Sequence, residues 1–232
     1  MLTNIDFVAK LKKIATEYKT LYVMGCFGAP LNTSNKTRYI NHHTYNQSVA
    51  RKKFINAATD DTFGFDCVNL IKGVLWGWDG SINKTYGGAK YISNGVPDVS
   101  ANGMINLCKN VSTNFSNLEI GEALWVPGHI GIYIGDGLAV ECTPSWKNCV
   151  QITAVTNLGV KAGYNGRKWD KRGKLPYITY TKVNTGNTLE EDLKVLVDNK
   201  VITTPSYWVT KAPTVKYLPE LIHNMAEKLR GN

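Results

Sequence analysis

The chain has 232 residues, 43% apolar and 19% charged, which excludes an intrinsically disordered chain and suffices for one sizeable core, or a core with a small appendage. No apolar run approaches the ~18 residues needed to span a bilayer. The opening Met1-Leu2-Thr3-Asn4-Ile5-Asp6 has no basic stretch leading into an apolar one, so neither membrane insertion nor a signal peptide is expected. Lys and Arg outnumber Asp and Glu by 27 to 18, a net charge of +9 that points to an anionic partner.

The excess charge is uneven. Residues 185–232 hold six basic and six acidic side chains, so the whole excess belongs to residues 1–184. Nucleic acid and anionic cell-wall polymer are the candidate partners. The chain has no clustered basic helix, zinc-finger spacing or aromatic-basic RNA-binding signature, and no nucleic-acid partner is expected. Five cysteines, Cys26, Cys67, Cys108, Cys142 and Cys149, make an odd count with no C-x-x-C pair. That pattern argues against a structural zinc and against a disulfide framework, leaving reduced thiols and no metal or cofactor.

An amphipathic helix opens the chain, with Ile5, Phe7, Val8, Leu11, Ile14, Ala15 and Tyr18 near one face. After Tyr22-Val23-Met24-Gly25-Cys26, the polar stretch Asn32 to Asn46, with His42 and His43, reads as a long loop or lid. Phe63-Gly64-Phe65-Asp66-Cys67-Val68 then passes from a glycine turn through an Asp N-cap into an apolar helical run. Cys67 therefore falls in a first helical turn, where the helix dipole and free N–H groups favour the thiolate. A short helix fits between Val96 and Cys108, and the chain turns strand-like from Ser112. Ala123–Val126, His129–Ile134 and Leu138–Cys142 read as an antiparallel meander, its last two strands joined by the hairpin signal Gly135-Asp136-Gly137.

Strand alternation places His129, Gly131 and Tyr133 on one face. It also brings His129 and Glu141 to the open ends of paired strands, within cross-strand reach. A thiol nucleophile needs a base, and the base needs an orienting group. Cys67, His129 and Glu141 are the residues available for those roles. The competing reading is a buried Cys at a helix start and a His satisfied at a strand end. If Glu141 lay far from His129, Asn148 or a backbone carbonyl would be next in line.

Phe65-Asp66-Cys67 opening a helix, the hairpin Gly128 to Gly137 and a polar residue twelve positions after His129 resemble the NlpC-type cell-wall peptidases. Leu118 to Trp125 is similar to that family's strand before the histidine, and Tyr22-x-x-Gly25 to its Tyr-x-x-Gly element. The resemblance covers residues 1 to about 180. It implies a papain-like α+β fold, a helix bearing the nucleophile packed on an antiparallel sheet. It further implies Cys67 as nucleophile, His129 as general base, Glu141 as orienting residue, and Tyr22 and Asp66 in substrate binding or oxyanion stabilisation. The implied activity is that of a cysteine endopeptidase cutting peptidoglycan stem peptides, typically between D-glutamate and the diamino acid. The protein would be a phage or prophage lysin made in the bacterial cytoplasm and released to the wall by holin or lysis.

Three departures bear on substrate. Asp66-Cys67-Val68-Asn69 stands for Asp-Cys-Ser-Gly, Gly121-Glu122-Ala123 for Gly-Asp-Leu, and residues 31–62 separate Tyr-x-x-Gly from the cysteine. The alternatives are a CHAP-like N-acetylmuramoyl-L-alanine amidase and a non-catalytic wall-binding or phage structural protein. Domains are expected at 1–184 and 185–232. In the second, after the linker Asn184 to Asn187, Thr188 and Glu191 form a capping box for a helix with Leu189, Leu193, Leu196 and Val197. Thr204-Pro205-Ser206 turns into Tyr207-Trp208, and a second helix from about Pro213 uses Tyr217, Leu218, Leu221, Ile222, Met225 and Leu229. This small module resembles those at the C-termini of Gram-positive phage and clostridial lysins. Packing or self-association through its apolar faces is favoured over wall targeting.

Overall fold

A computed structural model describes residues 1–181, 189–215 and 218–231. The chain divides into two compact units, Met1–Tyr180 and Thr181–Asn232.

The first unit is α+β. Strand β1 (Leu2–Thr3) leads into helix α1 (Asn4–Glu17), whose N-cap hydroxyl on Thr3 accepts the Asp6 N–H at 3.0 Å. Phe7, Val8, Leu11 and Ile14 form its buried stripe. Ile5, expected on that stripe, is 41% exposed, because a turn of about 100° per residue carries it off the 7-8-11-14 line. Strands β2 (Thr20–Tyr22), β3 (Phe27–Pro30) and β4 (Phe63–Phe65) make a small sheet in the order β2-β4-β3.

The polar stretch read as a loop is helical. It holds α2 (Thr33–His42) and most of a 3-10 turn (Thr44–Gln47), and α3 (Val49–Ala57) follows it. Its Asn, His and Ser residues are the caps: Asn32 accepts from the Asn35 N–H, His43 from that of Tyr45 and Ser48 from that of Arg51. Tyr39 and Ile55 anchor these helices in a small core with Val23, Cys26, Ala29 and Leu31. Fully buried Asn46 ties the segment down, donating to the carbonyls of Met24 (2.8 Å) and Tyr39 (2.9 Å) and accepting the Met24 N–H (3.1 Å).

Helix α4 (Cys67–Leu75) follows β4 directly, and α5 (Ala101–Leu107) precedes β5 (Lys109–Ser112). The expected meander is present as β6 (Ala123–Val126), β7 (His129–Gly135) and β8 (Leu138–Thr143). It extends antiparallel through β9 (Cys149–Val155); β10 (Gly166–Arg167) adds parallel to β9, β11 (Lys171–Lys174) lies between β6 and β5, and β12 (Ile178–Thr179) pairs with β1. The main sheet runs β10-β9-β8-β7-β6-β11-β5. Ile130, Ile132, Ile134, Val140 and Cys142 join α1 and α4 in the principal core. Tyr133, Ala139, Leu124, Val155 and Trp169 form a second cluster.

In the second unit, α6 (Leu189–Asp198), α7 (Pro205–Lys211) and α8 (Leu218–Arg230) bury Leu193, Leu196, Ala212, Ile222 and Ala226. Buried Asp192 joins α6 to α8 by accepting from His223 Nδ1 at 2.7 Å and from Arg230 at 2.8 Å. The expected helical pair is corrected here. Pro205, with its φ already set for a first helical turn, begins α7 in place of the expected turn at 204–206, so Tyr207 and Trp208 are helical; Pro213, expected to open the second helix, falls in a 3-10 turn (Ala212–Thr214) before α8. The 184–187 linker, Thr188 of the capping box and Tyr217 lie outside the described residues.

Candidate active site

Helix α4 begins at Cys67 because Asp66 caps it. Asp66 Oδ1 accepts the Asn69 N–H at 2.8 Å, and Oδ2 accepts the Asn69 side-chain amide at 2.7 Å and the Gly25 N–H at 2.8 Å. One carboxylate thus starts the cysteine helix and holds the Tyr22–Gly25 turn against it. Gly25 sits at φ +80°, and a Cβ there would come within 3.0 Å of the His42 ring. Both Asp66 oxygens are spent on these bonds, and burial pushes the Asp66 carboxyl above its ordinary value.

Cys67 lies at the wall of a cavity of about 630 Å³ shared with Tyr22, Gly25, Asn69 and Gly128. Its sulfur is 3.9 Å from the Gly128 carbonyl and is hydrogen-bonded by the Ile130 main chain, so it meets the backbone on both sides of His129. The thiolate favoured by helix position alone is not the resting form. Burial, then the Asp66 charge, push the thiol up to about 12, outweighing the backbone donors at the helix start. Burial likewise raises the Tyr22 hydroxyl, helped by the charges of Cys67 and Asp66, so it remains an un-ionised donor. Tyr22 is held from behind by Arg51, whose guanidinium donates to its carbonyl, lies 5.5 Å over its ring and reaches Asn148 Oδ1 at 2.6 Å.

The expected cross-strand contact is present: His129 Nε2 lies 2.6 Å from Glu141 Oε2. Glu141 is wholly buried and also accepts from Thr153 Oγ1 on Oε1 at 2.7 Å and from Arg167 Nε on Oε2 at 2.8 Å. Burial acts to raise this carboxyl, but the His129 bond and charge, with Arg167 and Thr153, prevail and hold it below its ordinary value. The imidazole stacks on Trp169 at 5.7 Å and 12°. Arg167 extends that stack, its guanidinium 5.5 Å over Trp169 and 5.0 Å over Trp146. Gly131 makes room for this arrangement, since a Cβ there would stand 3.0 Å from the Trp169 ring and 3.2 Å from Glu141 Cβ.

The structure thus places Cys67, Tyr22 and Asp66 on one cavity wall and pairs His129 with Glu141; the two groups adjoin through Gly128, whose carbonyl is 3.9 Å from the Cys67 sulfur. Sequence reasoning missed Thr153, Arg167, Trp169 and the cavity wall that α2 supplies through Arg38, Tyr39 and His42. Alternation along β9 could have found Thr153, one step from the Glu141–Gln151 pair. Arg167, in a two-residue strand among polar neighbours, carries no such signal. No helix among the described residues is long and apolar enough to cross a membrane. No protein-family model matches the chain, and no curated protein matches it.

Proposed function

We propose that the protein is a papain-like cysteine peptidase of the NlpC type that hydrolyses peptidoglycan stem peptides, with the D-glutamyl–diamino acid bond as its target. The observation that carries this reading is the pair formed by His129 and fully buried Glu141, with Gly128, the residue before His129, 3.9 Å from a thiol that starts a helix in a cavity wall. A buried carboxylate on Nε2 orients the ring and stabilises its cationic form, leaving Nδ1 as the base.

With the thiol raised, attack and deprotonation go together. The Cys67 proton moves to His129 Nδ1 as sulfur bonds to the scissile carbonyl carbon. His129 then gives that proton to the departing amine as the C–N bond breaks. Water, deprotonated by His129, cleaves the thioester and restores the thiol. The un-ionised Tyr22 hydroxyl donates a hydrogen bond to the substrate or to the developing oxyanion, and Asp66 acts by placing Cys67 and the Gly25 turn. The anionic wall is the natural partner of a chain with net charge +9.

Turbidity loss of purified walls followed by mass analysis of the fragments tests the reading. A new amino terminus on the diamino acid is expected. Release of intact stem peptides from muramic acid would identify an amidase, and unchanged walls would identify a non-catalytic protein.

A further inference from the structure

The cavity over Cys67 has an uneven charge lining. Among its acidic groups, Asp66 is spent on the helix cap. Asp98 is paired with buried Lys72 and accepts the Tyr91 hydroxyl at 2.6 Å. Arg38, on the wall built by α2, differs. Its guanidinium lies 5.6 Å over the Tyr39 ring and 5.0 Å over the Tyr86 ring, and no carboxylate among the described residues pairs with it. Arg38 is exposed at the cavity rim, where two aromatic faces and a bond to the Tyr86 side chain hold the group and leave the rest of its N–H fork open to the cavity mouth. A planar fork of free donors fits a carboxylate better than any neutral group.

In a γ-linked glutamyl residue the peptide chain leaves through the side-chain carbonyl, so the α-carboxylate remains a free anion, three carbons removed from the carbonyl of the bond to be cut. Building on the peptidase reading above, we infer that Arg38 is a specificity residue that binds this free carboxylate, so that the protein selects stem peptides whose glutamyl residue is not amidated.

The probes are two synthetic L-alanyl-γ-D-glutamyl-L-lysine peptides, both blocked at the C-terminus as carboxamides, one with the glutamyl α-carboxylate free and one with it amidated. Calorimetric binding to full-length protein carrying Cys67→Ala should favour the free carboxylate by roughly ten- to a hundredfold, the range for a hydrogen-bonded charge. Adding Arg38→Gln should bring the two affinities together, and Arg38→Lys should restore part of the preference. Circular dichroism checks that α2 persists in each variant. Equal affinities with Arg38 intact, no binding of either peptide, or a preference that survives Arg38→Gln would overturn the inference. Cleavage of the same peptides by the unmodified protein is scored separately, so failed hydrolysis with preserved carboxylate selection counts against the peptidase reading alone.

Discussion

Glu141 Oε2 accepts from both His129 and Arg167, and such a buried carboxylate is stable only while its donors stay in place. Glu141→Gln keeps an acceptor for the imidazole but removes the charge that stabilises its cationic form. A loss of kcat on the order of 10- to 10⁴-fold is expected, as for orienting carboxylates in other triads. A carboxyl lowered in the folded state contributes stability above its unfolded value of about 4.3, and that contribution disappears as pH falls through the lower folded value. Thermal unfolding followed downward from pH 5 should therefore show a decline that is shallower in Glu141→Gln. Arg167 acts through Glu141 as a positioning residue. Arg167→Gln removes one of the two donors on Glu141 Oε2 and should lower kcat with little change in KM, while Arg167→Lys, which keeps the charge, should recover part of the loss; a purely structural role would show no such recovery.

At the scale of elements, α4, β7 and β8 are legible from residues alone. An Asp cap before an apolar run and an Asp-Gly turn between alternating strands are local signals, and both fall where the sequence places them. The helices α2 and α3 are illegible for a physical reason. The Asn, Thr, Ser and His residues of α2 and of the turns flanking α3 have the composition of a loop, yet several serve as caps, and the hold on the segment comes from Asn46 bonding to Met24, far away in sequence. The same limit hides Arg167 and Trp169, which reach His129 and Glu141 only through long-range sheet pairing. Local reading also misjudges the Cys67 thiol, because the helix start is visible in sequence while burial and the turned-in Asp66 charge are not. Asn46→Ala would strand one buried N–H and two carbonyls, at about 1–3 kcal/mol for each group left unsatisfied. A lower unfolding midpoint is expected, together with a rise in KM larger than the fall in kcat, since Tyr39 and Arg38 belong to the cavity wall and not to the reacting set.

For the whole molecule, the net charge of +9 resides in residues 1–184, while the remainder is balanced. Attraction to anionic wall polymer should come from the first unit and weaken as salt screens it. Deleting residues 188–232 should leave salt-sensitive wall binding in place. The expected change is in stability or oligomeric state, because Tyr207, Leu221 and Leu229 leave apolar surface on the helical unit. Pull-down on purified walls over a salt series, with sedimentation of both proteins, checks this. Loss of low-salt binding by a truncated protein that is still folded would make the helical unit the targeting module.

The peptidase reading rests on the Cys67 sulfur being the attacking atom. The initial rate of turbidity loss of purified walls, measured side by side for the unmodified protein and a Cys67→Ala variant of unchanged circular dichroism, tests that most directly. A fall of roughly 10⁴-fold or more is expected, the scale on which removal of a nucleophile acts. Lysis by Cys67→Ala at a rate near that of the unmodified protein would contradict it.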